Sequence, residues 1–287
     1  MTRPPVLAAT REELEAYLAP RRRQREDVVL VPTMGALHAG HAALLRAARR
    51  HAAAGVVAAS IFVNPLQFAR GEDLDRYPRT MEADLELCAA EGVDVVFAPA
   101  VEEMYPGGEP QVTVEPGPLA EILEGASRPG HFRGVLTVVA TLFGVARPTV
   151  AVFGEKDYQQ LVLVRRMNQD LCLGVEVAGV ATVREEDGLA LSSRNRYLVA
   201  DQRGAAVALW RALRAAQGQA PYGVEAARTA ALSVLAEEPR VDLDYLALLA
   251  NDLTELKPEA ADGRVLVAAR IGSTRLIDNL PLALGPR

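Results

Sequence analysis

Two of the four histidines in the chain, His38 and His41, stand three residues apart just after an apolar run that begins at Val28. That spacing places both imidazoles on nearly the same side of the first turn of a helix. Gly40 between them leaves the backbone open to a flat or charged ligand. The run at 28–31, the turn Pro32-Thr33-Met34-Gly35-Ala36-Leu37 and a helix beginning at Ala39 read together as strand, turn and helix N-terminus. Exposed backbone N–H groups and the helix dipole favour bound phosphate at such a place, so the chemistry expected is nucleotide binding. A His-x-x-His of this length also recurs by chance, and an ordinary turn into a helix is an equal reading of this stretch alone.

Lysine usage adds a second candidate. Only Lys156 and Lys257 are lysines among 31 basic residues, so arginine serves wherever a generic positive charge is wanted. Lys156 follows an apolar run at 149–153 within Gly154-Glu155-Lys156-Asp157-Tyr158-Gln159-Gln160, and is expected near solvent. A compact ammonium suits a phosphate contact in a tight pocket better than a planar guanidinium does.

These residues need elements to hold them. Helices are expected at 7–18, capped by Thr10, at 39–53, at 80–91 with Met81, Leu85 and Cys88 as its apolar stripe, at 134–146 and up to about 170. Strands are expected at 28–31, 56–63, 93–97, 112–114, 149–153 and 175–180, several rich in β-branched residues, as suits strands covered on both faces. Asn64-Pro65 ends one strand, and a polar loop at 64–80 follows. The Gly-, Ser- and Pro-rich segment at 125–131 could be a mobile arm. Alternating strands and helices imply an α/β fold, a Rossmann-like parallel sheet with helices on both faces. Ligands bind such sheets beyond the carboxyl ends of the strands. The stretches 32–41, 64–67, 154–160 and 182–194 are all expected at that edge. From about residue 180 the pattern changes to alanine-rich helices at 200–217 and 224–238 and strands at 241–246, 265–269 and 274–278. The domains expected are therefore 1–179, binding nucleotide, and 180–287, a smaller C-terminal α+β domain closing over the site.

Composition narrows the class. A net charge of −6 argues against a broad nucleic-acid surface. The cluster Arg21, Arg22, Arg23 and Arg25 reads as a solvated helix end. Cys88 and Cys172 are too few for a disulfide framework and read as buried thiols. No signal peptide or membrane-spanning run is evident, and a cytoplasmic protein is expected.

Several segments carry a family resemblance. Residues 32–41, Ser60-Ile61-Phe62-Val63-Asn64-Pro65-Leu66-Gln67-Phe68, residues 128–135, residues 153–161 and Ser192-Ser193-Arg194-Asn195-Arg196-Tyr197-Leu198 closely resemble the pantothenate synthetase family, ligases that join pantoate to β-alanine using ATP. The resemblance runs in order over nearly the whole chain. It implies attack of the pantoate carboxylate on the α-phosphorus of ATP, loss of pyrophosphate, then attack of the β-alanine amine on the acyl carbon of a pantoyl adenylate, with release of AMP. It also implies Mg²⁺ on the ATP phosphates and a homodimer, with no nucleic-acid or membrane partner.

Roles follow position by position from that resemblance. Pro32, Thr33, Met34, Gly35, Ala36, Leu37, His38, Ala39, Gly40 and His41 match an ATP-binding stretch, with His38 and His41 on the phosphates and His41 as proton donor, a histidinium opposite the leaving pyrophosphate. Gly154, Glu155, Lys156 and Asp157 match a second. Val183 matches a position beside adenine, and Leu191, Ser192, Ser193 and Arg194 match a loop reaching the triphosphate, Leu191 standing where relatives often have methionine. His38, His41, Lys156 and Arg194 are the expected catalytic set. Gln67 matches a ligand of pantoate and β-alanine and Gln160 one of pantoate, with Asn64 and Arg128 as further substrate contacts. Val138 and Val139 match an apolar lining for pantoate, or are helix core. Two other classes fit parts of the pattern: a nucleotidyltransferase acting on a phosphorylated acceptor, which would want Arg or Lys where Gln67 and Gln160 stand, and a nucleotide-binding regulator without catalysis.

Overall fold

The most apolar runs become the centre of a parallel sheet. The computed structural model describes residues 3–68, 74–257 and 259–285. Strands β1 (Val6–Ala8), β2 (Val28–Thr33), β3 (Val56–Ile61), β4 (Val95–Phe97), β5 (Val150–Gly154) and β6 (Glu176–Val180) pair in the order β1-β4-β3-β2-β5-β6, all parallel. Every residue of β3 is buried, as a strand covered on both faces requires. Val29 and Val31 of β2 face Leu45, Ala48 and Ala52 of α2 (Ala39–Ala52). Val28 and Leu30, equally buried, point to the other face by the two-residue period. The remaining helices here are α1 (Arg11–Arg23), α3 (Met81–Ala90), the short α4 (Val101–Met104) and α5 (Glu124–Ser127), α6 (His131–Ala146) and α7 (Tyr158–Asp170). The expected Rossmann-like parallel sheet is what forms.

Strand order locates the cleft of this sheet. From β2 the sheet grows one way through β3 and β4 and the other way through β5 and β6, so the topological switch lies between β2 and β5. Ligand crevices in open parallel sheets open at the carboxyl ends of such strands. Residues 32–33 end β2 and 34–41 follow it, residues 64–67 follow β3, and Gly154 ends β5.

The chain forms two compact units. The first runs to Glu155 and resumes over Gln159–Ala181; the second takes Lys156–Tyr158 and everything from Thr182. In the second, β7 (Val241–Leu249), β8 (Asp262–Ile271) and β9 (Thr274–Ala283) form an antiparallel sheet in that order. Helices α8 (Ala200–Gln219) and α9 (Val224–Ala236) share a core with it in which Ala205, Ala212, Ala216, Ala227 and Ala231 are fully buried. Small side chains on both helices allow their close approach.

Several expectations are corrected. Residues 6–8 are an edge strand rather than the start of a helix. Helix α1 begins only at Arg11, because Thr10 and Glu13 close a capping box in which Glu13 N donates to Thr10 Oγ1 at 3.1 Å. Residues 112–114 form no strand, since the N–H of Val114 donates to Thr137 Oγ1 at 3.1 Å instead of to a ladder. Cys172 is exposed, lying in the turn after α7 with φ of 51°, whereas Cys88 is buried. Met81 is 39% exposed, and the buried residue of the first turns of α3 is Asp84, at 1%. Of the expected 64–80 loop, residues 69–73 lie outside the described residues. Among the described residues no helix is long and apolar enough to cross a membrane.

Candidate active site

In the first unit the turn between β2 and α2 is organised from beneath. Gly35 and Ala36 adopt left-handed φ values of 80° and 51°. That conformation is strained for residues with a side chain, and at Gly35 an added Cβ would also lie 3.0 Å from Asp84 Oδ2. It turns two consecutive N–H groups onto one carboxylate: Ala36 N donates to Asp84 Oδ2 at 3.0 Å and Leu37 N to Asp84 Oδ1 at 2.8 Å. Thr80 Oγ1 adds a third bond to Oδ1 at 3.1 Å. One turn on, burial pushes the Cys88 thiol up to about 12, with the Asp84 charge adding to the effect, so it stays neutral.

The expectation of exposed backbone donors along this turn is therefore corrected. An internal anion already occupies the N–H groups of residues 36 and 37, and Gly35 N donates to Thr33 Oγ1 at 3.2 Å. Asp84 is the residue that sequence reasoning missed. Nothing in the linear chain ties position 84 to position 36, and only the packing of α3 brings them together.

The histidines are fixed in a definite tautomer. His38 caps α2, with its Nδ1 accepting from Gly40 N at 3.1 Å, while His41 Nδ1 accepts from His38 N at 3.2 Å. Backbone N–H groups can only donate, so both Nδ1 atoms carry lone pairs and both neutral rings carry their proton on Nε2. The ring centroids are 4.2 Å apart and the rings are tilted by 50°.

Gln67 is oriented by a similar chain of unambiguous donors. Leu66 N and Tyr105 Oη both donate to Asn64 Oδ1, at 3.2 and 2.8 Å. Burial pushes the Tyr105 hydroxyl up, keeping it protonated for this role. The Asn64 amide nitrogen then donates to Gly134 O at 3.1 Å and to Gln67 Oε1 at 3.0 Å. With its oxygen committed, Gln67 turns Nε2 toward Met34 Sδ at 3.0 Å. Gly134 permits this arrangement, since a Cβ there would lie 2.2 Å from Leu66 O. Asn64 is thus a support for Gln67.

Arg128 sits at the end of α5, its guanidinium 3.0 Å from His131 Nε2 and 3.4 Å from Gln67 O, to which His131 Nδ1 also bonds at 2.9 Å. A cavity of about 140 Å³ is bounded here by Gln67, Phe68, Arg128, His131, Arg133 and Thr137. Gln160 is partly exposed in the first turn of α7, whereas its neighbour Gln159 is buried, donating to Leu119 O and Ile122 O at 2.6 and 2.9 Å. Val138 and Val139 are buried in α6.

The second unit holds the other set. The Lys156 side chain keeps only 19% of its exposure, so the residue expected near solvent is largely enclosed, and its Nζ lies 3.8 Å from Asp157 Oδ2. Asn279 Nδ2 donates to the Lys156 carbonyl at 3.0 Å. Ser192 caps the turn Ser193–Tyr197, its Oγ accepting from Arg194 N at 3.2 Å. Leu191 N bonds Val183 O at 2.9 Å. Asn195 Nδ2 ties this loop to Glu185 Oε1 at 2.7 Å and to Ala190 O at 3.0 Å. Arg203 reaches both Glu185 and Asp187 at 2.7 Å. Burial pushes the Asp187 carboxyl up, but the Leu189 N–H and Arg203 outweigh it and leave it below the usual carboxylate value.

Comparison with known proteins supplies the context for these two sets. A family model described as pantoate-beta-alanine ligase matches residues 6–281. The chain is 64% identical over 294 residues to a pantothenate synthetase of Nocardioides sp., covering 100% of this chain and 88% of that protein. It resembles the crystal structure of pantothenate synthetase from Thermus thermophilus with a TM-score of 0.89 at 52% identity, over 96% of this chain and 98% of that one. It also resembles the Francisella tularensis pantoate-beta-alanine ligase, solved in complex with beta-gamma ATP and beta-alanine, with a TM-score of 0.78 at 34% identity, over 96% and 97% of the two chains.

Proposed function

The chain belongs to the pantoate–β-alanine ligase family, and from that premise we propose that it condenses (R)-pantoate with β-alanine through a pantoyl adenylate. In the first half-reaction a pantoate carboxylate oxygen bonds to the α-phosphorus of ATP and the α–β bridging bond breaks, releasing pyrophosphate. In the second, the amine of β-alanine bonds to the acyl carbon, a proton leaves the nitrogen, and AMP departs. The observation that carries the reading is the likeness over 96% of the chain to a ligase solved with an ATP ligand and β-alanine.

In this reading His38 and His41 act as neutral Nε2–H donors to phosphate oxygens. Their tautomer is set before substrate arrives, and preorganised donors aimed at developing charge are worth roughly 10²–10³ in rate each. Lys156 stabilises charge around the α-phosphorus, with Gly154, Glu155 and Asp157 shaping the same stretch. Ser192, Ser193 and Arg194 hold the triphosphate, and Val183 and Leu191 lie along the nucleoside. The proposed first stretch, residues 32–41, grips phosphate through its side chains and remaining donors, since Asp84 holds two of its N–H groups. Gln67 offers Nε2 to pantoate, with Gln160 and Arg128 as further contacts. Mg²⁺ enters with ATP as the MgATP substrate, in line with its habit of keeping phosphate and water ligands. A homodimer in the cytoplasm completes the family reading.

The test is purified protein with MgATP and candidate acceptors, followed by pyrophosphate release. Release that depends on pantoate, with AMP appearing on addition of β-alanine, is the expected result. Release only with phosphorylated acceptors would establish a nucleotidyltransferase, and tight ATP binding without turnover a regulator.

Gln67→Glu probes the substrate end. Glutamate still accepts from Asn64, so the support survives, but the inward donor becomes an acceptor facing the pantoate carboxylate. The expected result is a pantoate KM raised about tenfold or more, the range for one lost charge-assisted bond plus like-charge repulsion, with the ATP KM little changed. An unaltered pantoate KM would remove Gln67 from the substrate site.

A further inference from the structure

We propose that the dipeptide Asp278-Asn279 is a positioning element that holds the Lys156 backbone and the 184–194 loop in one fixed arrangement, Asn279 acting on Lys156 directly. The inference rests on the reading of Lys156 and residues 192–194 as triphosphate ligands. Both residues lie on β9 and are buried, at 5% and 3% exposure.

The side chain and backbone of Asn279 are both engaged, the carbonyl accepting from Arg184 Nη2 at 3.4 Å. Its Nδ2 donates to Lys156 O at 3.0 Å, its Oδ1 accepts from Arg264 Nη1 at 2.5 Å, and its backbone N donates to Asp278 Oδ1 at 2.7 Å. Arg264 in turn lies 3.6 Å over the ring of Tyr158, whose hydroxyl donates to Asn251 O at 2.8 Å. The three residues 156–158 are thereby clamped into the second unit, although residues 155 and 159 on either side belong to the first.

The neighbour faces the other way. Arg184 donates two bonds to Asp278, at 2.6 and 2.9 Å, and one to Gly188 O at 3.1 Å, with its guanidinium 3.9 Å over the Trp210 ring. That anchors the hairpin in which Arg184 bridges to Ala190, and the chain leaves it directly into Leu191 and Ser192. Two adjacent side chains of one strand thus reach the two stretches proposed to hold ATP. A buried ion pair stabilises little relative to apolar packing, and its bidentate geometry is better suited to fixing a single arrangement.

Asn279→Asp is the informative change. It keeps the size and the acceptor for Arg264 but opposes the Lys156 carbonyl with an anion. The expected result is pyrophosphate release in a single turnover slowed about tenfold, as for a catalytic group displaced by a fraction of an ångström, while aminolysis of supplied pantoyl adenylate stays within about twofold of the parent. Because the effect runs through Lys156, the same change added to Lys156→Ala should slow release no further. Full additivity in that double variant, equal losses in both half-reactions, or an undiminished rate would each overturn the proposal. If Asn279→Asp does not fold, Tyr158→Phe is put through the same cycle, with about a threefold loss expected on release alone. A parent chain that releases no pyrophosphate with pantoate would defeat the functional reading instead. In that event MgATP titration of the same four proteins supplies the cycle, non-additive affinities upholding the positioning role and additive ones ending it.

Discussion

Lys156→Ala is expected to slow formation of the pantoyl adenylate by two to three orders of magnitude, roughly the loss seen when one preorganised stabilising group is removed, while the melting temperature stays within a few degrees. The first part follows from the chemistry at phosphorus, where little covalent work falls to the protein and positioned positive charge does most. The second follows from the fold. Asn279 holds Lys156 by its carbonyl, which alanine retains, and the side chain's ion pair is a long one, 3.8 Å from a half-exposed Asp157. Lys156→Arg should rescue little, because a planar, forked guanidinium does not reproduce the compact point charge of an ammonium. Rapid-quench measurement of pyrophosphate beside a thermal melt checks both parts. A normal adenylation rate would remove Lys156 from the mechanism, and a collapse of the melting temperature would make it a structural residue.

Asp84→Asn is expected to lower both stability and the adenylation rate. One oxygen of the new amide can take the N–H of Ala36 or Leu37, but the other N–H then faces an NH₂ group. A buried donor left unsatisfied costs about 1–3 kcal/mol, which in a protein of this size is a fall of roughly 5 °C in Tm. The left-handed turn at Gly35 and Ala36 loses the anion that justifies it, and the His38–His41 pair at its end moves with it. A displacement of about 1 Å at a catalytic group can remove a hundredfold in rate, and a loss near that size is expected in single-turnover pyrophosphate release. Aminolysis of supplied adenylate should suffer less. An Asp84→Asn protein with parental stability and rate would show that the turn holds itself.

Both predictions turn on residues that differ in how openly the chain displays them. Lys156 was visible because lysine is scarce and because it follows a strand end. Asp84 was hidden inside what reads as an apolar stripe with Met81, Leu85 and Cys88. Helical spacing alone shows that four residues share a face, and it does not say which of them a neighbouring turn will need. The same blindness explains Cys172, whose apolar neighbours Leu171 and Leu173 are themselves exposed at 52% and 37%. Apolar letters after a helix end do not guarantee burial, since the chain must turn there whatever it carries.

The amino-acid sequence by itself determined the parallel sheet, the change of pattern near residue 180 and the stretches able to carry chemistry, because hydrophobic periodicity, glycine and proline placement and residue chemistry act over short spans of chain. Only the tertiary structure decided which ring nitrogen of His38 and His41 accepts from the backbone, the donor contact of Gln67 with Met34, the carboxylate beneath residues 36 and 37, and the attachment of residues 156–158 to the second unit. Each of these depends on which donor meets which acceptor across tens of residues. Hydrogen bonds are directional and buried polar groups must be paired, so such choices are made when distant segments pack, and no local pattern records them.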